Sequence, residues 1–376
     1  MKVAVVTESF LPQVNGVTNS VLRILETLRS TGHEAMVIAP EGEGVPSEVS
    51  GFRVKTIPSI PIQNLLPVGL PLALPTRKLE YLFDGYAPDL IHLASPFALG
   101  SFSAKLGKKM GIPTLSVYQT DLAGFASHYG LTIANSSLRR IVGKIHANTD
   151  RTLAPSRWAC NELREQGVEN VHLWRRGVKT NLFRPDAKNL ELHKKWSSSG
   201  RKLVVGFVGR LANEKRVYDL RFLSRDSNIQ VVITGDGPAR EKLEKQMPSA
   251  IFTGFKTGEE LAEVYASLDL FIHPGPNETF CQSVQEALAS GTPCIVPPTG
   301  GPSDLVTHGI TGYVINTHRP DELEAAVLHF RLRNDKEEMS FNARASVESR
   351  TWEKVNAQLM NHYAEITTKK VEGSVA

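Results

Sequence analysis

Short apolar runs, each followed by a loop and then a segment of helical period, recur along this 376-residue chain. That alternation restricts it to parallel β-sheets with helices on both faces. In the first half the runs fall at residues 3–6, 35–39, 90–93, 114–117 and 151–153. In the second they fall at 203–208, 230–234, 251–252, 268–272 and 294–296. Between the first two runs, Val21, Leu22, Leu25 and Leu28 lie at helical spacing, and Gly32 ends that helix. Residues 58–75, rich in Pro and Leu, break the alternation and read as an ordered loop. Residues 183–200 are polar, contain Pro185 and end in Ser-Ser-Ser-Gly, which marks a linker. The expectation is two doubly wound domains, 1–183 and 184–351, with a ligand cleft between the carboxyl ends of their sheets.

Composition narrows the class. Hydrophobic residues make up 41% and charged residues 22%, as in globular proteins, and no apolar run reaches the 18 residues of a membrane span. Three cysteines (Cys160, Cys281, Cys294) without a C-x-x-C pair argue against a disulfide framework or structural zinc, and favour a reducing cytoplasm. Net charge is +4, yet residues 1–183 hold 19 Lys and Arg against 14 Asp and Glu, while 184–376 hold 24 against 25. The excess lies in clusters: Lys105, Lys108 and Lys109; Arg139, Arg140 and Lys144; Arg175, Arg176 and Lys179. Any one cluster reads as a solvated helix face. Together they suit an anionic membrane surface, and the sequence has no aromatic-interleaved basic stripe of the nucleic-acid-binding kind.

The chemistry concentrates in the second half. After the run 268–273, Glu278 and Glu286 stand eight positions apart around a helix start. Thr279 and Gln282 fit a capping box, with Gly291 and Pro293 closing the helix. The N–H groups of Phe280, Cys281 and Gln282 would then face an oxygen-rich ligand. Glu286 would lie roughly 9 Å along the helix axis. Two acceptors so spaced can hold hydroxyls at opposite ends of an extended ligand and fit a shared metal poorly. Arg210 and Lys215 follow the run 203–208 through Gly209, and two cations five residues apart can clasp a diphosphate. Such cations also do the work of a divalent metal, so no metal is required. Near the N-terminus, Asn15-Gly16 leads into helical rather than alternating period, which favours a strand-loop-helix anion site over a hairpin.

These motifs resemble those of the retaining family-four glycosyltransferases of GT-B fold: E-x7-E at Glu278 and Glu286, and G-R-L-x-x-x-K at Gly209 to Lys215. The opening Thr7-Glu8-Ser-Phe-Leu-Pro-x-Val-Asn-Gly, Tyr118-Gln-Thr-Asp-x-Ala-Gly-Phe and Glu278-Thr-Phe-Cys-Gln extend the likeness to actinobacterial α-mannosyltransferases. The resemblance implies two Rossmann-like domains facing a central cleft. The acceptor would bind in 1–183, joined by a final helix (352–376) crossing back, and the nucleotide-sugar in 184–351. The donor, GDP-mannose, would place its diphosphate on Gly16, Arg210 and Lys215 and its ribose on Glu286. Its sugar would meet Glu278 and the N–H groups of Phe280 and Cys281, and its base would lie beside Gly254 and Phe255. The implied catalytic residues are Arg210, Lys215, Glu278 and Asp121. Relatives often carry His near Asp121, so a proton-relay role does not transfer to this chain, which has Gln119 and Asp121. Cys281 stands where many relatives have Gly, and Asp304 in Gly300-Gly301-Pro-Ser-Asp304 reads as structural. The implied activity is mannosyl transfer to a membrane glycolipid, either glucuronosyl diacylglycerol or a phosphatidylinositol mannoside, at the cytoplasmic face of the plasma membrane. A UDP-sugar-dependent glycolipid glycosyltransferase and a non-catalytic nucleotide-sugar-binding protein remain alternatives.

Overall fold

A computed structural model describes residues 1–60, 72–73, 77–94, 96–119, 135–276 and 278–375. It divides into two compact units, Met1–Arg175 with Glu353–Ala376, and Arg176–Trp352.

The first unit carries β1 (Lys2–Thr7), β2 (Glu34–Pro40), β3 (Glu48–Val49), β4 (Phe52–Ile57), β5 (Ser59–Ile60), β6 (Leu72–Ala73), β7 (Leu90–Ala94), β8 (Thr114–Val117), β9 (Arg151–Ala154) and β10 (Val171–Leu173). Eight of these form one sheet in the order β10-β9-β8-β7-β1-β2-β4-β3, parallel except for the β3/β4 edge. β1 and β7 are buried on both faces because helices cover both, the condition under which parallel strands read as near-continuous hydrophobic runs. β4 escaped the sequence reading because Arg53 and Lys55 alternate with its apolar residues. Within 58–75, the loop reading gives way to a two-residue antiparallel pair, β5 with β6.

One sheet face packs on the helix Gly16–Ser30 through Val21, Ile24, Leu25 and Leu28. Asn15 starts that helix by accepting the N–H groups of Val17 (3.0 Å) and Thr18 (3.1 Å), so the strand-loop-helix reading of Asn15-Gly16 stands. The final helix, Trp352–Val375, covers the same face with Val355, Leu359, Tyr363 and Ile366. Trp174 Nε1 donates to Val355 O at 2.8 Å, and Tyr363 Oη lies 2.8 Å from His92 Nδ1. The opposite face holds the helices Arg77–Tyr86 and Ala98–Met110 through Leu79, Phe83, Leu99, Ala104 and Leu106. The helix Asn135–Ala147 joins them there, with His146 Nδ1 2.9 Å from Ser116 Oγ.

The second unit is an all-parallel sheet of β11 (Leu203–Val208), β12 (Ile229–Thr234), β13 (Ile251–Gly254), β14 (Leu270–Ile272), β15 (Cys294–Val296) and β16 (Gly312–Val314). Their order is β13-β12-β11-β14-β15-β16. The expected linker 183–200 belongs to this unit. Asn189 caps the helix Leu190–Trp196 at Leu192 N (3.0 Å), and Trp196 is buried in the core. The break therefore falls at Arg175/Arg176, and polar composition between 183 and 200 reflects a short amphipathic helix rather than a tether.

Glu8, at the end of β1, is buried in the first unit, where its Oε1 accepts the N–H groups of Phe97 (3.0 Å) and Gly100 (2.8 Å). Burial pushes its carboxyl up to about 7 against the pull of those N–H groups. The folded protein thus holds this proton more tightly than the unfolded chain. The associated stability is complete below about pH 4.5 and is lost as pH rises towards 7. Glu8→Gln should remove that dependence. Relative to the variant, the parent should lose about 1–3 kcal/mol between pH 5 and 8, as measured by paired denaturant titrations. A pH-independent difference refutes the assignment.

Candidate functional site

In the second unit, β11 lies between β12 and β14, where the strand order reverses. Loops leaving the carboxyl ends of β11 and β14 are therefore neighbours, the switch point at which such sheets bind ligands. One loop carries Arg210 and Lys215, the other His273, Glu278 and Cys281.

Glycines set the spacing. A Cβ on Gly275 would meet Glu214 O at 3.0 Å and Lys215 Cα at 3.2 Å, so the two loops touch through backbone there. Gly235 and Gly237 bring the β12 loop onto Gly209 and Leu211, where a Cβ would fall 2.0 Å from Gly209 O and 2.5 Å from Leu211 O. Gly301 presses on the Glu278 loop from beneath. Its N–H donates to Glu278 O at 2.7 Å, and a Cβ would lie 2.4 Å from Phe280 Cα.

Lys215 Nζ donates to Glu278 Oε1, joining the two loops through half-buried side chains. Burial would raise the Glu278 carboxyl, but the Lys215 ammonium, with Arg176, outweighs it and holds the group below its ordinary value. Burial would likewise lower the Lys215 ammonium, and Glu278 reverses that. His273 stacks on Phe207 (centroids 6.2 Å apart, planes at 19°), with Nε2 3.7 Å from Glu278 Oε1. Burial lowers its imidazole to about 4, so it is neutral beside the carboxylate. Burial brings the Arg176 guanidinium down to about 10, and it remains charged near Glu278. Arg176 is held there because Gln285 Nε2 donates to its carbonyl (2.9 Å) and Gln282 Nε2 to that of Gly177 (3.1 Å).

Several sequence expectations shift. The helix runs Gln282–Ala289, with Cys281 rather than Thr279 at its N-cap. Cys281 has φ 85°, in the left-handed region, so the chain turns too sharply there for a capping box spanning 279–282. Glu286 consequently lies four residues into the helix, about 6 Å along it, and accepts from Tyr265 Oη at 3.1 Å. Burial lifts its carboxyl to about 7, and the Tyr265 and Gln282 hydrogen bonds restrain the rise. Burial also pushes the Cys281 thiol up to about 12, which leaves it protonated and a poor nucleophile. Arg210 pairs with Glu214 and is half exposed, so the loop directs its two cations to different carboxylates. Gly254 (φ 76°) ends β13, and Phe255 beyond it is 73% exposed. Gly16, the first residue of its helix, belongs to the other unit; Asp121 lies outside the described residues. The sequence also gave no sign of a His/Cys ligand cluster, yet the fold gathers His273, Glu278 and Cys281.

Sequence reasoning missed Arg176, His273 and Tyr265. Arg176 read as one of a solvated basic cluster, and His273 as the end of an apolar strand. A cavity of about 700 Å³ lined by Pro185, Leu203, Asp269 and Pro293 sits at the amino ends of the strands, away from these carboxylates.

Two parallel α/β units, with cations and carboxylates at a switch point, define a GT-B glycosyltransferase. Residues 14–182 match the family described as Glycosyltransferase Family 4, and 188–346 that described as Glycosyl transferases group 1. A GDP-mannose-dependent alpha-mannosyltransferase of Corynebacterium glutamicum is 46% identical over 97% of this chain and 89% of its own length. Its counterpart in Mycobacterium tuberculosis is 45% identical over 98% of both. Among solved structures, Anabaena HepE in complex with UDP superposes with a TM-score of 0.76 at 17% identity, covering 97% of this chain and all of that one. Sucrose-phosphate synthase from Thermosynechococcus elongatus gives 0.77 at 18%, covering 98% and 99%. At such identities these two likenesses concern the fold. The chain belongs to the family-four, group 1 glycosyltransferases of GT-B fold, and it is an enzyme.

Because a Cβ at Gly301 would fall 2.4 Å from Phe280 Cα and Thr279 O, Gly301→Ala should displace the Glu278 loop by about 1 Å. Misplacement on that scale lowers turnover on the order of 10²-fold. Steady-state kinetics with a thermal melt as control should show the loss with little change in Tm; full activity would mean the loop yields freely.

Proposed function

We propose that this enzyme transfers mannose, with retention, from GDP-mannose to a lipid-linked glycan acceptor at an anionic membrane surface. The observation that carries the site chemistry is the Lys215–Glu278 pair at the carboxyl ends of β11 and β14. An ammonium has three donors, so Lys215 can hold Glu278 and still meet a phosphate oxygen. Glu278, kept ionised, accepts hydroxyls of the sugar; Glu286, against Tyr265, accepts those of the ribose. As the bond from the anomeric carbon to the diphosphate breaks, charge grows on the leaving oxygen, where Lys215 and Arg210 stabilise it without a metal. The acceptor hydroxyl enters on the same face and gives its proton to the departing phosphate. Glu278 serves poorly as a covalent nucleophile while Lys215 and Arg176 stabilise its charge. Mannose and guanosine rest on the relatives of 44–46% identity, whose names specify GDP-mannose.

The acceptor surface is read from the first unit. The helices Arg77–Tyr86, Ala98–Met110 and Asn135–Ala147 share one sheet face and carry eight Lys and Arg against two carboxylates, Glu80 and Asp84. Among these cations Tyr81 is 71%, Phe102 43% and Ile141 49% exposed. Apolar side chains projecting from a basic layer suit insertion among acidic headgroups. No described helix is long and apolar enough to cross a membrane; peripheral attachment at the inner face is our reading of this basic, apolar-studded layer.

Calorimetry with GDP-mannose, UDP-glucose and GDP tests the donor, and preference for UDP-glucose overturns it. Arg210→Ala or Lys215→Ala should cut kcat about 10²-fold or more, beyond any rise in KM, while transfer persists in excess EDTA. Glu286→Gln should weaken GDP by roughly 1–3 kcal/mol, whereas Glu278→Gln should spare GDP but slow the intact donor. The reverse pattern means that the donor lies the other way round. Replacing Lys105, Lys108, Arg140 and Lys144 with Gln should abolish sedimentation with phosphatidylglycerol vesicles at low salt; retained binding excludes this face.

A further inference from the structure

We propose that His273, Glu278 and Cys281 form a zinc site whose occupancy shuts the enzyme off. The ligand-capable atoms of the three residues lie within 4.8 Å of one another, and His273 Nε2 is 3.7 Å from Glu278 Oε1. Zinc with bonds of about 2.0–2.3 Å holds its ligand atoms roughly 3.3–3.8 Å apart, so the widest pair needs to close by at most about 1–1.5 Å. Nitrogen, oxygen and thiolate sulfur together select zinc over magnesium or calcium, which take oxygen.

Two independent features point the same way. His273 is 2% exposed, yet neither ring nitrogen makes a well-aligned hydrogen bond among the described residues, the Gly275 backbone lying near but outside that geometry. Buried polar atoms left so are rare and call for a missing partner. Its ring is fixed on Phe207, which leaves the imidazole edge aimed at Glu278. Cys281 holds a left-handed backbone conformation, φ 85° and ψ 85°, that glycine would adopt without strain. A side chain retained at such a position places Sγ in the cluster, with Ser283 Oγ 3.3 Å away to support a thiolate.

Binding is a ligand exchange without redox change. The Cys281 thiol loses its proton to solvent as the zinc–sulfur bond forms, and Lys215 gives up Glu278 and swings aside on its flexible stem. Three protein ligands leave the fourth position to water. Lys215 therefore opposes zinc, and zinc opposes the donor by taking Glu278. This last consequence rests on the reading of Glu278 as a donor contact; the site itself does not.

The test is titration of the full chain with ZnCl₂ by calorimetry, and with Co²⁺ followed by its thiolate charge-transfer absorption. One equivalent should bind, at least 10-fold more weakly in His273→Ala and Cys281→Ser and several-fold more tightly in Lys215→Ala. Cys281→Gly, which relieves the backbone, should melt no lower than the parent and still lose the cobalt–thiolate band. Zinc should inhibit transfer competitively with the nucleotide-sugar, and EDTA should restore activity. Stoichiometry and affinity unchanged in Cys281→Gly and His273→Ala, or cobalt without a thiolate band, overturns the site. Zinc bound through these residues without competition upholds the site and overturns its inhibitory role together with the place of Glu278 at the donor. Mannosyl transfer itself is judged separately, by the donor titration.

Discussion

Lys215 and Glu278 meet because β11 and β14 are neighbours, and almost everything around them serves that meeting. A half-buried ion pair gains little net energy over apolar residues of similar size, because both ions are stripped of water. Its value here is electrostatic definition: a carboxylate kept ionised, an ammonium kept charged, and a neutral His273 beside them. Gly275 lets the two loop backbones touch, and Gly301 carries the second loop from below. Gln282 and Gln285, on the helix that follows, reach back to the backbone at Gly177 and Arg176 and hold a second cation near the same carboxylate. Three chain segments far apart in sequence thus converge on one oxygen-rich point.

Much of this was legible. Buried parallel strands announce themselves as apolar runs, so β8, β11 and β15 coincide with their expected bounds. Signals failed where polar residues sit on a strand, as in β4, or where an edge strand is only three residues long, as in β16. The capping motif failed for a different reason. Thr279 and Gln282 have the right identities and spacing, but cap geometry depends on dihedral angles that no residue pattern reports, and Cys281 adopts one seldom tolerated by a side chain. Arg176 was hidden because a cation's role depends on what faces it, and Glu278 lies more than a hundred positions away. The three-residue cluster at Cys281 was hidden for the same reason.

The order of the chain has a consequence of its own. The core face of the first unit is completed by Leu359, Tyr363 and Ile366, and Trp174 and Thr27 hydrogen-bond to Val355 and Asn356. A ribosome making this protein synthesises the whole second unit before that helix exists. During synthesis the opening sheet must wait with Val21, Leu25 and Leu28 beside an uncovered apolar strip, exposed to whatever chaperone or neighbouring chain reaches it first. The half of the protein that is made first is the half that is finished last.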